Sequence, residues 1–301
     1  MKSVDIQNPS HSFASRVQAF ETIWADYWFT ALSTQVVQTT RGVVGVTSLL
    51  LFVCYSLIGN KWFTDQGWFD SSAGLFLVGN GMAETGAEFR MTPFYDHPSL
   101  VLPVAIAGMV ASLLVLLGRF ASIAALVAFV CVMFFHHRAP ILVTKSEPLI
   151  SAFLLYLAIV PSSLYRSERG YLTTVGMRLI QIHFVIWIGF SLSTMLANEG
   201  WWTGESVRRL LEDRQGIMPA AWGTPLIAEC LSSLVVLSQV LFLACVARPS
   251  WRRFGFWAML VFGAAAIIVT ADWMYAMTIL AGVLSFAMLP EFLTKRFAVS
   301  S

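Results

Sequence analysis

The sequence has few charged residues for its length. Only 12% of the 301 residues are charged, whereas 57% are hydrophobic, and the mean hydropathy is +0.71. A composition of this kind is typical of a protein whose solvent is lipid rather than water. The formal net charge is only +2.

Several familiar sequence signals are also missing. The chain has four cysteines without close paired spacing, so neither a disulfide framework nor a metal knuckle is expected. There is no glycine-rich phosphate loop, no internal repeat, and no basic run with interleaved aromatic residues. These absences argue against nucleotide and nucleic-acid binding, and they favour one membrane domain without a metal site.

What the sequence does have is a series of long apolar runs. A helix crosses a hydrocarbon core of about 30 Å with about 20 mostly apolar residues. Short turns at Gly118-Arg119 and at Ala271-Asp272 are expected to be tight hairpins, because the joined runs would be too long for one crossing. The predicted fold class is an all-α integral membrane bundle of about eight transmembrane helices: Val43–Gly59, Leu100–Leu117, Phe120–Phe135, Pro148–Leu164, Met177–Leu196, Thr224–Val246, Phe254–Thr270 and Trp273–Leu289.

The basic residues predict how these helices are oriented. With a cytoplasmic amino terminus, 12 of the 19 basic residues fall in inner segments and seven in outer ones. Basic residues near span ends resist translocation, so both termini are expected in the cytoplasm of a multi-pass protein of the inner (plasma) membrane. The basic inner face would suit anionic lipid headgroups. The first apolar run begins only near Val43, so no cleavable signal peptide is expected.

The remaining segments divide the chain into three parts. Residues 1–40 have apolar side chains at helical spacing, which predicts an amphipathic interfacial helix. Residues 41–290 form the transmembrane domain, with an aromatic-rich outer loop at 60–99, and residues 291–301 form a cytoplasmic tail. In the outer loop after the fifth span, Glu205 and Arg209 are four residues apart, a spacing that allows an ion pair on a short helix.

Ionisable groups at membrane depth are the first candidates for a functional site, because their insertion costs about 2.5 to 3.5 kcal/mol. Glu229, near the outer end of the sixth span, is the leading candidate, and a protonated carboxyl bonded to a neighbouring helix is the alternative. His183 is either a packing group or a proton relay. Arg138 is expected to contact a lipid headgroup or carboxylate rather than join His136 and His137 in a metal site.

We therefore take Glu229, Arg138 and His183 as catalytic candidates. Substrate or lipid contacts are assigned to Arg138, Lys145, Gln181, Trp201, Trp202 and Glu229. No motif requires a cofactor, and a quinone or lipid is the ligand class that an aromatic-rich interface with one buried acid would suit.

Several short motifs occur in an order that resembles the HTTM family. This is the transmembrane domain shared by vitamin K-dependent gamma-carboxylase and bacterial SdpB-like proteins, and the similarity covers roughly Arg41 to Pro290. The motifs are Arg41, Trp62-Phe63-Thr64-Asp65-Gln66-Gly67, Gly118-Arg119, His137-Arg138-Ala139-Pro140 before Glu147, Arg178-Leu179-Ile180-Gln181, Trp201-Trp202-Thr203-Gly204 and Thr224 to Glu229.

The resemblance also implies what this chain does not do. Carboxylases of the family use a lysine just before the tryptophan-glycine motif as a base, and Met195 stands at the matching position. A thioether cannot take that proton, so vitamin K-type carboxylation is not expected. The resemblance implies a role in the maturation or export of a peptide or protein. A quinone- or lipid-binding membrane enzyme and a non-catalytic subunit of a membrane complex remain open alternatives.

Overall fold

A computed structural model describes residues 17–18, 21–22, 24–25, 27–28, 32–62, 98–138, 144–161, 170–212, 224–246 and 248–286. In these ranges the chain forms ten α-helices and no β-strand. The helices are α1 (Thr34–Trp62), α2 (Val101–Leu117), α3 (Ala121–Arg138), α4 (Ser146–Ile159), α5 (Gly170–Ala197), α6 (Glu199–Trp202), α7 (Glu205–Glu212), α8 (Pro225–Val246), α9 (Arg252–Thr270) and α10 (Trp273–Leu284).

Eight of these helices are apolar, and each overlaps one of the eight predicted spans. Four described helices, α1, α5, α8 and α9, are both long and apolar enough to cross a membrane. The other four, α2, α3, α4 and α10, are apolar but shorter. With a rise of about 1.5 Å per residue, the 28 residues of α5 span about 42 Å, whereas the 12 residues of α10 span about 18 Å.

The two predicted hairpin turns are confirmed. Helix α2 ends at Gly118, whose φ of 71° lies in the left-handed region, and its N–H donates to the carbonyl of Val115. Glycine adopts this conformation without the steric cost that a Cβ would add. Helix α9 ends at Ala271 with a φ of 47°, and the Asp272 carboxylate then accepts the N–H of Tyr275 to begin α10.

The eight apolar helices pack as a closed ring in which each contacts the next. Around the ring the order is α1, α2, α3, α4, α5, α8, α9 and α10, with α10 returning to α1. The short helices α4 and α10 also contact each other across the ring. Most of α10 is buried, including Tyr275, Thr278 and Gly282. The two shortest of the eight apolar helices, α4 and α10, are therefore buried over more of their length than a long helix such as α5.

The outer surface of the bundle is apolar over several helices. Large side chains that are between 40% and 71% exposed follow the outer faces of α2, α3, α5 and α8. Water-soluble monomers rarely expose apolar patches of this extent. These faces suit hydrocarbon, and examples are Leu102, Ile106, Val110, Leu113, Ile123, Leu126, Val130, Ile186, Phe190, Leu237 and Leu241.

Some predicted boundaries differ from the structure. Helix α1 begins at Thr34 rather than Val43, so the predicted boundary at residue 40 falls inside it. Helix α5 begins at Gly170 rather than Met177, and α4 ends at Ile159 rather than Leu164. Hydropathy locates the apolar part of a helix, whereas backbone hydrogen bonds extend the helix into polar residues. Most of the aromatic-rich loop and the carboxyl-terminal tail lie outside the described residues.

Candidate functional site at the Glu147 end

The bundle has two ends, which we name after the buried charge at each. At the Glu147 end, helices α1, α3, α5 and α9 finish and α2, α4, α8 and α10 begin; the opposite end is the Arg41 end. Glu147 is the one acidic side chain that is buried in the described part of the chain, with 5% exposure. A buried carboxylate is costly unless hydrogen-bond donors surround it.

The local sequence explains the first of these donors. Thr144 and Glu147 are three residues apart at the start of α4, the spacing of a helix capping box. The Glu147 Oε2 atom accepts the backbone N–H of Thr144 at 3.0 Å, and the Thr144 and Ser146 hydroxyls are 2.6 Å apart. The capping interaction therefore orients Glu147 into the bundle.

Two other helices complete the surroundings of Glu147. The Tyr55 hydroxyl of α1 donates a hydrogen bond to the carboxylate. The ring of Tyr55 stacks on Phe135 of α3 with 4.2 Å between centroids. His136 Nε2, also on α3, lies 3.8 Å from Glu147 Oε2. The acid therefore joins α1, α3 and α4 through polar contacts at one end of the bundle.

A small cavity lies at the same end. Its volume is about 70 Å³, and its lining includes Lys145, Met195, Trp201, Asp272 and Tyr275. A cavity of this size holds a few water molecules, whereas small-molecule pockets usually measure about 300 to 1,000 Å³. The polar groups around it are suited to ordered water, and a quinone does not fit without movement of the helices.

An open polar groove runs beside this cavity, between α6 and α7. Its volume is about 380 Å³. The Arg209 guanidinium binds Glu205 at 2.9 Å within it, which confirms the ion pair that their spacing predicted. Helix α7 is held by its buried side chains Val207 and Leu211, which pack with α8 and α9. The groove is lined by Asn198, Glu199, Gly200, Thr203, Glu205, Ser206 and Arg209.

The charges on α7 affect each other. Hydrogen bonds from Arg209 and Arg208 hold the pKa of the Glu205 carboxyl below its usual value. The Arg208 guanidinium lies 2.7 Å from Glu205 and 3.1 Å from Glu212. Two acidic and two basic side chains therefore form a network on the exposed side of this helix.

The structure brings together only part of the predicted site. Lys145 and Trp201 line the cavity, and Trp202 is 58% exposed beside them, its indole N–H donating to the Leu196 carbonyl at 3.0 Å. Glu229 is exposed on the second turn of α8, so the buried acid that was expected in this region is Glu147 instead. Arg138 is the last residue of α3, and its side chain lies outside the described part of the structure.

Two other candidates lie toward the Arg41 end. The Gln181 amide is buried, donates to the carbonyl of Ser285, and accepts a hydrogen bond from Arg178 at 2.8 Å. The Nδ1 atom of His183 lies 3.1 Å from the Tyr156 hydroxyl. Both candidates therefore connect helices at a distance from the cavity.

Sequence reasoning did not identify the centre of the site. It named Glu147 only as the residue that follows the His137-Arg138-Ala139-Pro140 motif, and it gave no site role to Tyr55 or Asp272. The capping-box spacing of Thr144 and Glu147 was the available signal, because it predicts a carboxylate turned back toward the helix start. The contact from Tyr55 had no such signal, since it joins residues 92 positions apart in the chain.

The described residues thus define an all-helical chain with an apolar outer surface and a polar cluster at one end. Comparisons with protein-family models, with curated proteins and with solved structures give no match. The HTTM resemblance therefore rests on its short ordered motifs alone.

Proposed function

We propose that this chain is a multi-pass inner-membrane protein of the HTTM type that assists the maturation or export of a peptide or protein. The apolar outer surface and the four long apolar helices support the membrane placement. The excess of basic residues in alternate loops supports cytoplasmic termini, which puts the Glu147 end on the outer side.

The observation that carries the peptide role is the open groove of about 380 Å³ at the Glu147 end. It presents hydroxyl, amide and charged groups of both signs, which suit the backbone and side chains of a peptide. Gly200 lies in its wall, where a Cβ would stand 2.5 Å from the Ser206 hydroxyl oxygen. On the outer side of the membrane, this groove would be accessible to a polypeptide that is being exported.

The position of Met195 supports a role other than carboxylation. Its sulfur lies 3.1 Å from the Gln239 amide nitrogen, and the side chain is 6% exposed. The residue that the resemblance aligns with a catalytic lysine is thus packed between helices α5 and α8. An accessory role in maturation needs no base at this point.

Site-specific photocrosslinking tests the proposal. A photoreactive amino acid at Thr203, which is exposed in the groove, should give an adduct with a secreted peptide or protein of the host, identified by mass spectrometry. The same residue at Phe190, which is 71% exposed on the apolar surface, should give lipid adducts instead. Equal polypeptide adducts from both positions, or unchanged secreted peptides after gene deletion, would count against the role.

One observation favours a second function, a lipid- or quinone-binding membrane enzyme in which the helices around the small cavity would have to move to admit the ligand. Lys145 lines the same cavity as Met195, so an amine from the start of α4 adjoins the place where the family carries its lysine. Native mass spectrometry in mild detergent tests this function. It should detect a bound lipid or quinone in the wild type, and the occupancy of that ligand should fall in the Lys145→Met variant. If the Lys145→Met variant retains every small molecule that the wild type binds, the accessory role is the better account.

A further inference from the structure

A second buried charge lies at the other end of the bundle. Arg41 lies two turns into α1, and its side chain is only 8% exposed. A guanidinium group keeps its charge in proteins and carries five N–H donors. Burial of this group is therefore expensive unless acceptors or an anion surround it.

In the described part of the chain, Arg41 has no such partner. Its Nη1 atom is buried and makes no hydrogen bond. Among the described residues, no carboxylate lies within ion-pair distance of it. The hydroxyl of the preceding residue, Thr40, is also buried without a hydrogen-bond partner. Two neighbouring side chains of α1 thus have unused hydrogen-bonding capacity.

The surrounding backbone leaves Arg41 at the edge of the α2–α3 turn. One turn along α1, Gly45 packs so closely on α2 that a Cβ would lie 2.8 Å from the Leu116 nitrogen. At Gly118, a Cβ would lie 2.6 Å from Arg41 Nη2. The guanidinium therefore lies over the end of α2, where the helix dipole offers partial negative charge but no counter-ion.

We propose that Arg41 is the centre of an anion-binding site and that its ligand is a phosphate group. The planar guanidinium fork binds phosphate through two parallel hydrogen bonds, which fits donors that the protein leaves unused. The phosphate belongs to an anionic lipid headgroup if the membrane placement proposed above holds, or to a soluble phosphate compound.

Thermal unfolding of the full chain after delipidation in a neutral detergent tests the site. Addition of phosphatidylglycerol should raise the unfolding temperature of the wild type. A parallel titration with inorganic phosphate shows whether the site binds the lipid headgroup or the free anion. In Arg41→Met the shift should vanish, with an affinity loss of at least about tenfold. In Arg119→Gln, the matched control on the exposed turn, most of the shift should remain.

Two further results decide the outcome. Arg41→Met should unfold at a higher temperature than the wild type without lipid, because it removes an uncompensated buried charge. Arg41→Lys keeps the charge without the fork and should retain a smaller lipid shift. The proposal is overturned if the wild type shows no shift with either compound, or if Arg41→Met keeps the full shift. Failure of the peptide-crosslinking experiment would not affect these measurements.

Discussion

The two ends of the bundle bury opposite charges and treat them differently. Glu147 has hydrogen-bond donors from two parts of the chain, the Thr144 amide and the Tyr55 hydroxyl, and His136 lies 3.8 Å away. Arg41 has no hydrogen-bond partner for its buried Nη1 atom. A buried charge can thus be compensated within the fold, as for Glu147, or can depend on a ligand, as we propose for Arg41.

The largest expected effect tests the internally compensated end. In Glu147→Leu, the donors of Thr144 and Tyr55 lose their acceptor inside the bundle, and we expect a loss of about 4 kcal/mol in the free energy of unfolding. Reversible unfolding in detergent micelles measures it. Glu147→Gln keeps an acceptor oxygen at the same place and should cost less than half as much. A neutral or stabilising Glu147→Leu would show that the donors do not depend on the carboxylate.

The two left-handed glycines give the next comparison. Gly204, at the Glu147 end, has a φ of 73°, and a Cβ on it would lie 2.6 Å from the backbone nitrogen of Glu229. Gly118, at the Arg41 end, would meet only the tip of the Arg41 side chain at that distance.

We expect Gly204→Ala to cost about 3 kcal/mol, from backbone strain and overpacking together. Gly118→Ala should cost about 1 kcal/mol, from backbone strain alone, because the arginine side chain can move. Unfolding midpoints of the two variants, measured side by side, check this order. The reverse order would mean that the Arg41 side chain cannot move away from the turn.

A smaller effect compares single hydroxyl groups at the two ends. Tyr55→Phe keeps the ring stacked on Phe135 and removes the donor to Glu147, so it should cost about 1.5 kcal/mol. Tyr156→Phe, toward the Arg41 end, removes only a contact with the half-buried His183 and should cost about 0.5 kcal/mol. Denaturant titration of both variants gives the two values. Equal losses of unfolding free energy in the two variants would mean that the hydrogen bond between Tyr55 and Glu147 adds no extra stability.

The smallest effect concerns pH and the exposed network of α7. The pKa of Glu205 in the folded protein lies below its unfolded value because of Arg209 and Arg208. The stability that Glu205 adds to the folded state is therefore fully present above the ordinary glutamate pKa. It is lost as the pH falls through the lower pKa of the folded protein. The slope of unfolding temperature against acidic pH should be slightly reduced in Glu205→Gln. Added salt should weaken the effect, and a slope unchanged in the variant would show that the network adds no stability.

Much of the fold could be predicted from the sequence. The apolar runs located eight helices, and the polar or glycine-containing breaks located the turns at Gly118 and Ala271. The helix ends were less predictable, because polar residues such as Thr34 and Gln35 continue the backbone hydrogen bonds of α1 beyond its apolar part.

The candidate site was less predictable than the fold. Lys145 and Trp201 were both expected to bind a ligand, yet nothing in the sequence placed them around one cavity of about 70 Å³. Glu229 was chosen for its depth along a helix, but its direction around the helix leaves it exposed. Hydropathy reports how deep a residue lies along a span, and it does not report which neighbouring helix the side chain faces.

The sequence by itself determined the apolar helices, their number and the spacing that allows Glu205 to pair with Arg209, because these depend on neighbours in the chain. Only the tertiary structure decided that Tyr55 reaches Glu147 and that Arg41 is buried with no hydrogen bond to its Nη1 atom from the described residues. Those outcomes depend on contacts between helices that are distant in sequence. Local patterns of hydrophobicity and charge do not record such contacts.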